Sequence, residues 1–163
     1  MKKFELTNEF ITNMFGTKLF RIRALVEFGD VEAGELGGYV EKESNLGHDD
    51  NAWVYDNAWV YGDAQVSGGA WVYGDARVCG NGDYAYAHGF GSVNRTTTFF
   101  RLKDGGVGVR CGCFYGTLAQ FRDKIRETHG ETKKAQEYLM LADLMELRFE
   151  EDENEVGNRK YVE

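Results

Sequence analysis

Residues 51–80 read NAWVYDNAWVYGDAQVSGGAWVYGDARVCG, and a valine returns there every six residues, at Val54, Val60, Val66, Val72 and Val78. An alanine stands two positions before each, at Ala52, Ala58, Ala64, Ala70 and Ala76. Side chains alternate faces along a strand, so an Ala and a Val two apart point the same way. Gly62-Asp63 and Gly74-Asp75 fall between them, and such residues tolerate the sharp backbone of a corner. The phase extends upstream to Val40, Ser44 and Leu46, then slips by two residues around His48–Asp50. Three short strands and three corners make an 18-residue circuit, the pattern of a β-solenoid with a narrow Ala/Val interior. Spacing alone leaves its hand open.

Residues 18 apart stack on adjacent circuits, which sets Trp53 beside Trp71 and Tyr55 beside Tyr73, all pointing outward. A second face carries Trp59 and Tyr61 over Arg77 and Cys79, and a third carries Gln65 and Ser67 over Asp83 and Ala85. An aromatic side chain buries roughly 150–250 Å², so the Trp53/Tyr55/Trp71/Tyr73 face approaches the roughly 800 Å² that one partner gives to a standard interface. Monomers seldom leave such a patch bare. The face is expected to be covered by another subunit or by the chain's own C-terminal part. The alternative is an aromatic ladder that only stiffens the coil.

The repeat resembles the hexapeptide-repeat left-handed β-helix family. From Leu19 to Gly80, "LFRIRAL…FGDVEAGELGGYVEKESNL" and the repeat after it are similar to phage and prophage proteins of that family, and "CGCFYGTLAQFRDKIRETHG" is similar to a segment that follows their coils. The resemblance implies a left-handed coil. It also raises acyl transfer, because many members carry an acyl donor between subunits and use a histidine as base.

Beyond residue 90 the period fails. "TTTFFRL" (96–102), "KDGG" and "VGVRCGCF" (107–114) read as a β-hairpin. Val107, Val109, Cys111 and Cys113 alternate onto one face as small core residues. Half a zinc site is the lesser alternative, since no second ligand pair exists. Thr117-Leu118-Ala119-Gln120 has the form of a capping box, predicting a helix that ends at His129-Gly130. A second helix is predicted over about 132–150, with Tyr138, Ala142, Met145 and Phe149 in one apolar stripe widened by Leu141 and Leu144. That stripe exceeds what one neighbouring helix needs, which points to packing on the hairpin, the β-helix or another subunit, with Tyr138, Leu141, Met145 and Phe149 as the candidate oligomer contacts.

The expected class is therefore mainly β with C-terminal α: a short left-handed parallel β-helix, then a β-hairpin and two helices. A cap over 1–37, a repeat over 38–90, a C-terminal module over 91–150 and a charged tail over 151–163 divide the chain. The net charge of −8 argues against direct binding of nucleic acid. Three cysteines are no disulfide framework and indicate a reducing compartment. No signal peptide or membrane span is visible, so a cytoplasmic location is expected. No catalytic motif, metal site or cofactor fingerprint is present. His48, beside Asp49 and Asp50 in "GHDD", is the candidate base if the chain were an acyltransferase.

The expected function is non-enzymatic: a binding protein, homodimeric or homotrimeric, that inhibits a host protein with a basic nucleic-acid groove. Its candidate surface is Trp53, Tyr55, Trp59, Tyr61, Trp71, Tyr73, Asp49 and Asp50, because Trp and Tyr dominate interface energetics. The alternatives are a small-molecule sponge with pockets between subunits, the acyltransferase, and a self-assembling scaffold.

Overall fold

The computed structural model describes residues 2–93 and 95–150; the charged tail lies outside them. The chain starts with a hairpin of β1 (Phe4–Thr12) and β2 (Lys18–Ala24). Its turn is set by Asn13, whose Oδ1 accepts from the backbone N–H of Phe15 and of Thr17, each at 3.0 Å. β3 (Leu36–Val40) adds antiparallel to β2. The repeat then contributes four strands of two residues each: β4 (Trp53–Val54), β5 (Trp59–Val60), β6 (Trp71–Val72) and β7 (Arg77–Val78). The C-terminal part consists of β8 (Tyr84–Phe90), β9 (Arg95–Arg101), β10 (Val107–Cys111), β11 (Phe114–Thr117), α1 (Leu118–His129) and α2 (Lys133–Phe149).

These strands form three sheets. One is mixed, in the order β1-β2-β3-β5-β7, with its first two pairings antiparallel and the rest parallel. β4 and β6 form a parallel pair, and β11-β10-β9-β8 is antiparallel throughout. None is a solenoid, and the expected left-handed parallel β-helix is overturned. The 18-residue offset is real, pairing Trp53 with Trp71 and Trp59 with Arg77. Yet five hexapeptides complete fewer than two circuits, and each pairing lasts only two residues. So short a stack does not close its own ends. Antiparallel strands satisfy its edges instead: β2 pairs with β3 on one side, and Leu102 bridges to Ala76 on the other.

The Ala and Val of each repeat are buried, together with Val40 and Leu46. This core is closed by Phe4, Ile22 and Val31 from the N-terminal part and by Phe100 from β9. A second core lies between the antiparallel sheet and the helices, built from Phe99, Val109, Phe121, Tyr138, Ala142, Met145 and Phe149. The capping box is present: Thr117 Oγ1 accepts from Gln120 N at 3.2 Å, and Thr117 N donates to Gln120 Oε1 at 2.9 Å. Gly130, at φ +58°, ends α1 in a conformation that favours glycine. The predicted hairpin is the middle of a four-stranded sheet, with β8 and β11 beyond it.

Candidate functional site

The aromatic face is largely enclosed by the chain itself. Trp53 lies outside its coil but is fully buried, with Phe28 at 5.2 Å and Phe4 at 6.4 Å between ring centroids. Tyr55 stacks on Tyr73 at 4.1 Å, and Tyr73 is covered by the Arg110 guanidinium at 4.3 Å and by Tyr115 at 6.0 Å. Trp71 is half-buried, with Tyr55 edge-on to it. On the second face Trp59 and Tyr61 are buried, and Arg77 lies 3.9 Å over the Trp59 ring. Both the N-terminal hairpin region and the C-terminal sheet thus supply the cover.

The two acids differ sharply. Asp50 Oδ2 accepts from Gly68 N at 2.7 Å, and Oδ1 accepts from Ala52 N at 3.1 Å and from the buried Lys3 ammonium at 3.3 Å. Asp49 is exposed. Asp50→Ala is expected to cost about 2–3 kcal/mol of stability, because it leaves the buried Lys3 ammonium with the carbonyls of residues 50 and 52 but without the carboxylate. Asp49→Ala should stay within about 0.5 kcal/mol. Urea unfolding of the two variants measures the contrast.

His48 is half-buried and held by a hydrogen bond and a stacked ring. Its Nδ1 accepts from Lys3 N at 3.0 Å, so the proton sits on Nε2, 3.3 Å from Glu43 Oε1. The ring stacks on Phe4 at 4.3 Å. With Nδ1 taken by a backbone N–H and one ring face covered, this imidazole has only Nε2 left to act in the way expected of a base. Tyr138, Met145 and Phe149, expected at a subunit contact, are buried in the chain's own second core, and Leu141 is half-buried against it. The side of α2 left in solvent carries Met140, Leu144 and Leu147 instead.

The C-terminal module also forms a cleft of about 280 Å³ that joins residues distant in sequence. One face of α1 forms a wall, with Phe121 and Ile125 facing the core and Lys124, Thr128 and His129 along the rim. Tyr138 of α2 lies at the floor, edge-on to Phe121 at 5.7 Å, with the His129 ring 6.0 Å away. Arg95, at the start of β9, borders the opposite side. The turn between β10 and β11 brings in Cys111 and Cys113. Two glycines give these groups room. A Cβ at Gly91 would strike the Tyr138 hydroxyl, and one at Gly112 would strike the Arg95 guanidinium. Both glycines also have positive φ.

The sulfur of Cys111 accepts from Thr97 Oγ1 at 3.2 Å and donates to the Tyr138 hydroxyl at 3.7 Å. Burial, and after it the neighbouring Cys111, pushes the Tyr138 phenol far above its ordinary value, so it remains a neutral hydroxyl. The expectation of small core cysteines holds in part for Cys111, which is half-buried against the second core, and fails for Cys113, which is exposed in the turn rather than on the strand. No group of three or more potential metal ligands occurs among the described residues.

The lining contains Arg95, Lys124 and His129 but no carboxylate, in a chain whose net charge is −8. Two other clefts do contain carboxylates: Asp104, Glu146 and Glu150 in one of about 480 Å³, and Asp50 in one of about 430 Å³. Lys124 has only a long contact to Glu127, at 3.9 Å, and Arg95 has no ion pair among the described residues. Cations over an apolar floor suit a small anion with an apolar body.

No family model matches the chain. No curated protein matches it either. The resemblance to hexapeptide-repeat β-helix proteins of phages therefore falls with the solenoid. No helix among the described residues is long and apolar enough to cross a membrane.

The cleft has one local signal in the sequence. Phe121, Lys124, Ile125, Thr128 and His129 recur at spacings of three, one, three and one, which places Lys124 and the His129 imidazole along an apolar helix face.

Proposed function

We propose that this chain is a non-enzymatic binding protein that takes a small anionic molecule with an apolar body into the cleft between α1, α2 and the antiparallel sheet. The carrying observation is the cation-lined, carboxylate-free cleft in an acidic chain. That Cys79, Cys111 and Cys113 form no disulfide supports a reducing, cytoplasmic setting for it. Burial of Trp53, Trp59 and Tyr61 leaves the aromatic face poorly suited to hold a protein partner. Arg95 and Lys124 supply charge-assisted hydrogen bonds to the ligand's anionic group, and the half-buried Phe114 receives its apolar body.

A matched pair of probes tests this. 8-Anilinonaphthalene-1-sulfonate carries the anionic group, and N-phenyl-1-naphthylamine has the same rings without it. The sulfonate is expected to bind at least about tenfold more tightly, since a hydrogen bond to a charged group contributes about 1.5–3 kcal/mol. The combined Arg95→Gln and Lys124→Gln variant should lose most of that preference. Equal affinity of the two probes for the unaltered chain, measured by fluorescence titration, would refute the role of the cations.

A further inference from the structure

The cleft brings together two thiols and a cationic rim, a combination that simple anion binding leaves unused. Cys111 and Cys113 flank Gly112 in the tight turn between β10 and β11, and both border the cleft. The Arg95 guanidinium packs against Gly112, the residue that separates them in the chain. Cys113 is exposed, whereas Cys111 is half-buried and hydrogen-bonded to Thr97 and Tyr138. One thiol is thus open to an incoming reagent and the other is held close behind it.

Their spacing in the chain is within the reach of a disulfide. Two residues span at most about 7 Å between Cα atoms, and a turn shortens this. Disulfides need about 4.4–6.8 Å. Gly112, at φ +59°, supplies the left-handed backbone for the turn.

We propose that Cys113 and Cys111 form a dithiol exchange site for small anionic disulfides, a site that presupposes the anion-binding role of the cleft. Arg95 and Lys124 draw in and orient a disulfide RSSR whose R groups carry carboxylates. The Cys113 thiolate attacks one of its sulfurs. A Cys113–S–S–R bond forms, the S–S bond of the reagent breaks, and RS⁻ leaves. The Cys111 thiolate then attacks the Cys113 sulfur, which forms the Cys111–Cys113 disulfide and expels the second RS⁻. The two protons given up by the cysteines end on the two released thiolates. The dithiol is oxidised by two electrons and the disulfide reagent is reduced to two thiols. Attack through the thiolate follows the ordinary course of such exchange.

The test uses the full chain with two disulfides of opposite charge, 5,5′-dithiobis(2-nitrobenzoate) and cystamine. Each rate is divided by the rate of the same reagent with the neutral thiol 2-mercaptoethanol. The chain is expected to favour the anionic reagent by on the order of tenfold, the lower end of what a charged cleft contributes to association. Arg95→Gln with Lys124→Gln should abolish that preference. Peptide mapping should find a Cys111–Cys113 disulfide in the unaltered chain and, in Cys111→Ser, a mixed disulfide stalled at Cys113.

A normalised preference near one, or a preference unchanged in the Gln variant, overturns the proposal. So does a mixed disulfide that persists at Cys113 while Cys111 is present. The naphthalene sulfonate is also titrated into the chain carrying both Cys111→Ser and Cys113→Ser. If it still binds there while the exchange shows no charge preference, the exchange fails and the binding role survives. If neither is seen, both fail.

Discussion

Asp83→Ala is expected to lower the free energy of unfolding by about 3–5 kcal/mol, the cost of leaving a buried charge without its partner. Asp83 and Arg101 have side chains 3% and 5% exposed, and Arg101 Nε donates to Asp83 Oδ1 at 3.1 Å. The same guanidinium donates to the carbonyls of Gly105 and Phe149, each at 3.2 Å. Asp83 Oδ2 accepts from Cys79 N at 3.1 Å. One ion pair therefore ties the end of the repeat to β9, to the β9–β10 turn and to the end of α2. Desolvation opposes such pairs, so an apolar replacement of both partners is far milder than loss of one. Asp83→Leu combined with Arg101→Met should recover much of the loss. Chemical denaturation tests both, with the midpoint moving and the slope constant if only stability changes. A loss under about 1 kcal/mol for Asp83→Ala would mean that the pair does not fasten the two halves together.

Trp53→Ala carries a comparable expected loss, about 3–5 kcal/mol. The ring is fully buried against Phe4 and Phe28, and lies so close over Gly37 that a Cβ there would sit 2.8 Å from Trp53 Cζ2. Truncation removes the largest side chain of the core and opens a cavity that three separate segments line. A surface anchor would behave differently, since its loss would weaken a complex and leave stability nearly unchanged. A measured loss near zero would return Trp53 to the surface role first expected of it.

That reversal shows where local pattern stops being informative. Period six correctly placed Ala and Val inside, and the 18-residue offset correctly paired Trp53 with Trp71 and stacked Tyr55 on Tyr73. Those are relations between neighbouring repeats. Whether an outward Trp meets solvent depends on Phe4 and Phe28, which lie many residues upstream and carry no periodic mark. The architecture went astray for the same reason. A repeat too short to continue was completed by antiparallel strands on both sides, and nothing within the repeat specifies them.

The C-terminal module was legible where chemistry is local, in the Thr117 capping box and the Gly130 stop. Of the partners open to the apolar stripe of Tyr138, Met145 and Phe149, the hairpin strands of the same chain are the ones that cover it, rather than another subunit. The cleft was not legible as a unit. Its cations come from β9 and α1, its thiols from one turn and its floor from α2, so only the tertiary fold unites Arg95 with Lys124 and His129. Asp50 shows the converse: an acid that looked free to dock is occupied by Lys3, Ala52 and Gly68.

The location of a bound anion tests the central claim most directly. The full chain, labelled with ¹⁵N, is titrated with 8-anilinonaphthalene-1-sulfonate and followed by amide chemical shifts. The largest changes are expected at Arg95, Cys113, Lys124, Thr128 and His129, around the cleft. Changes centred on Met140, Leu144 and Leu147, the exposed side of α2, would mean that the probe seeks only bare apolar surface and would contradict an anion site in the cleft.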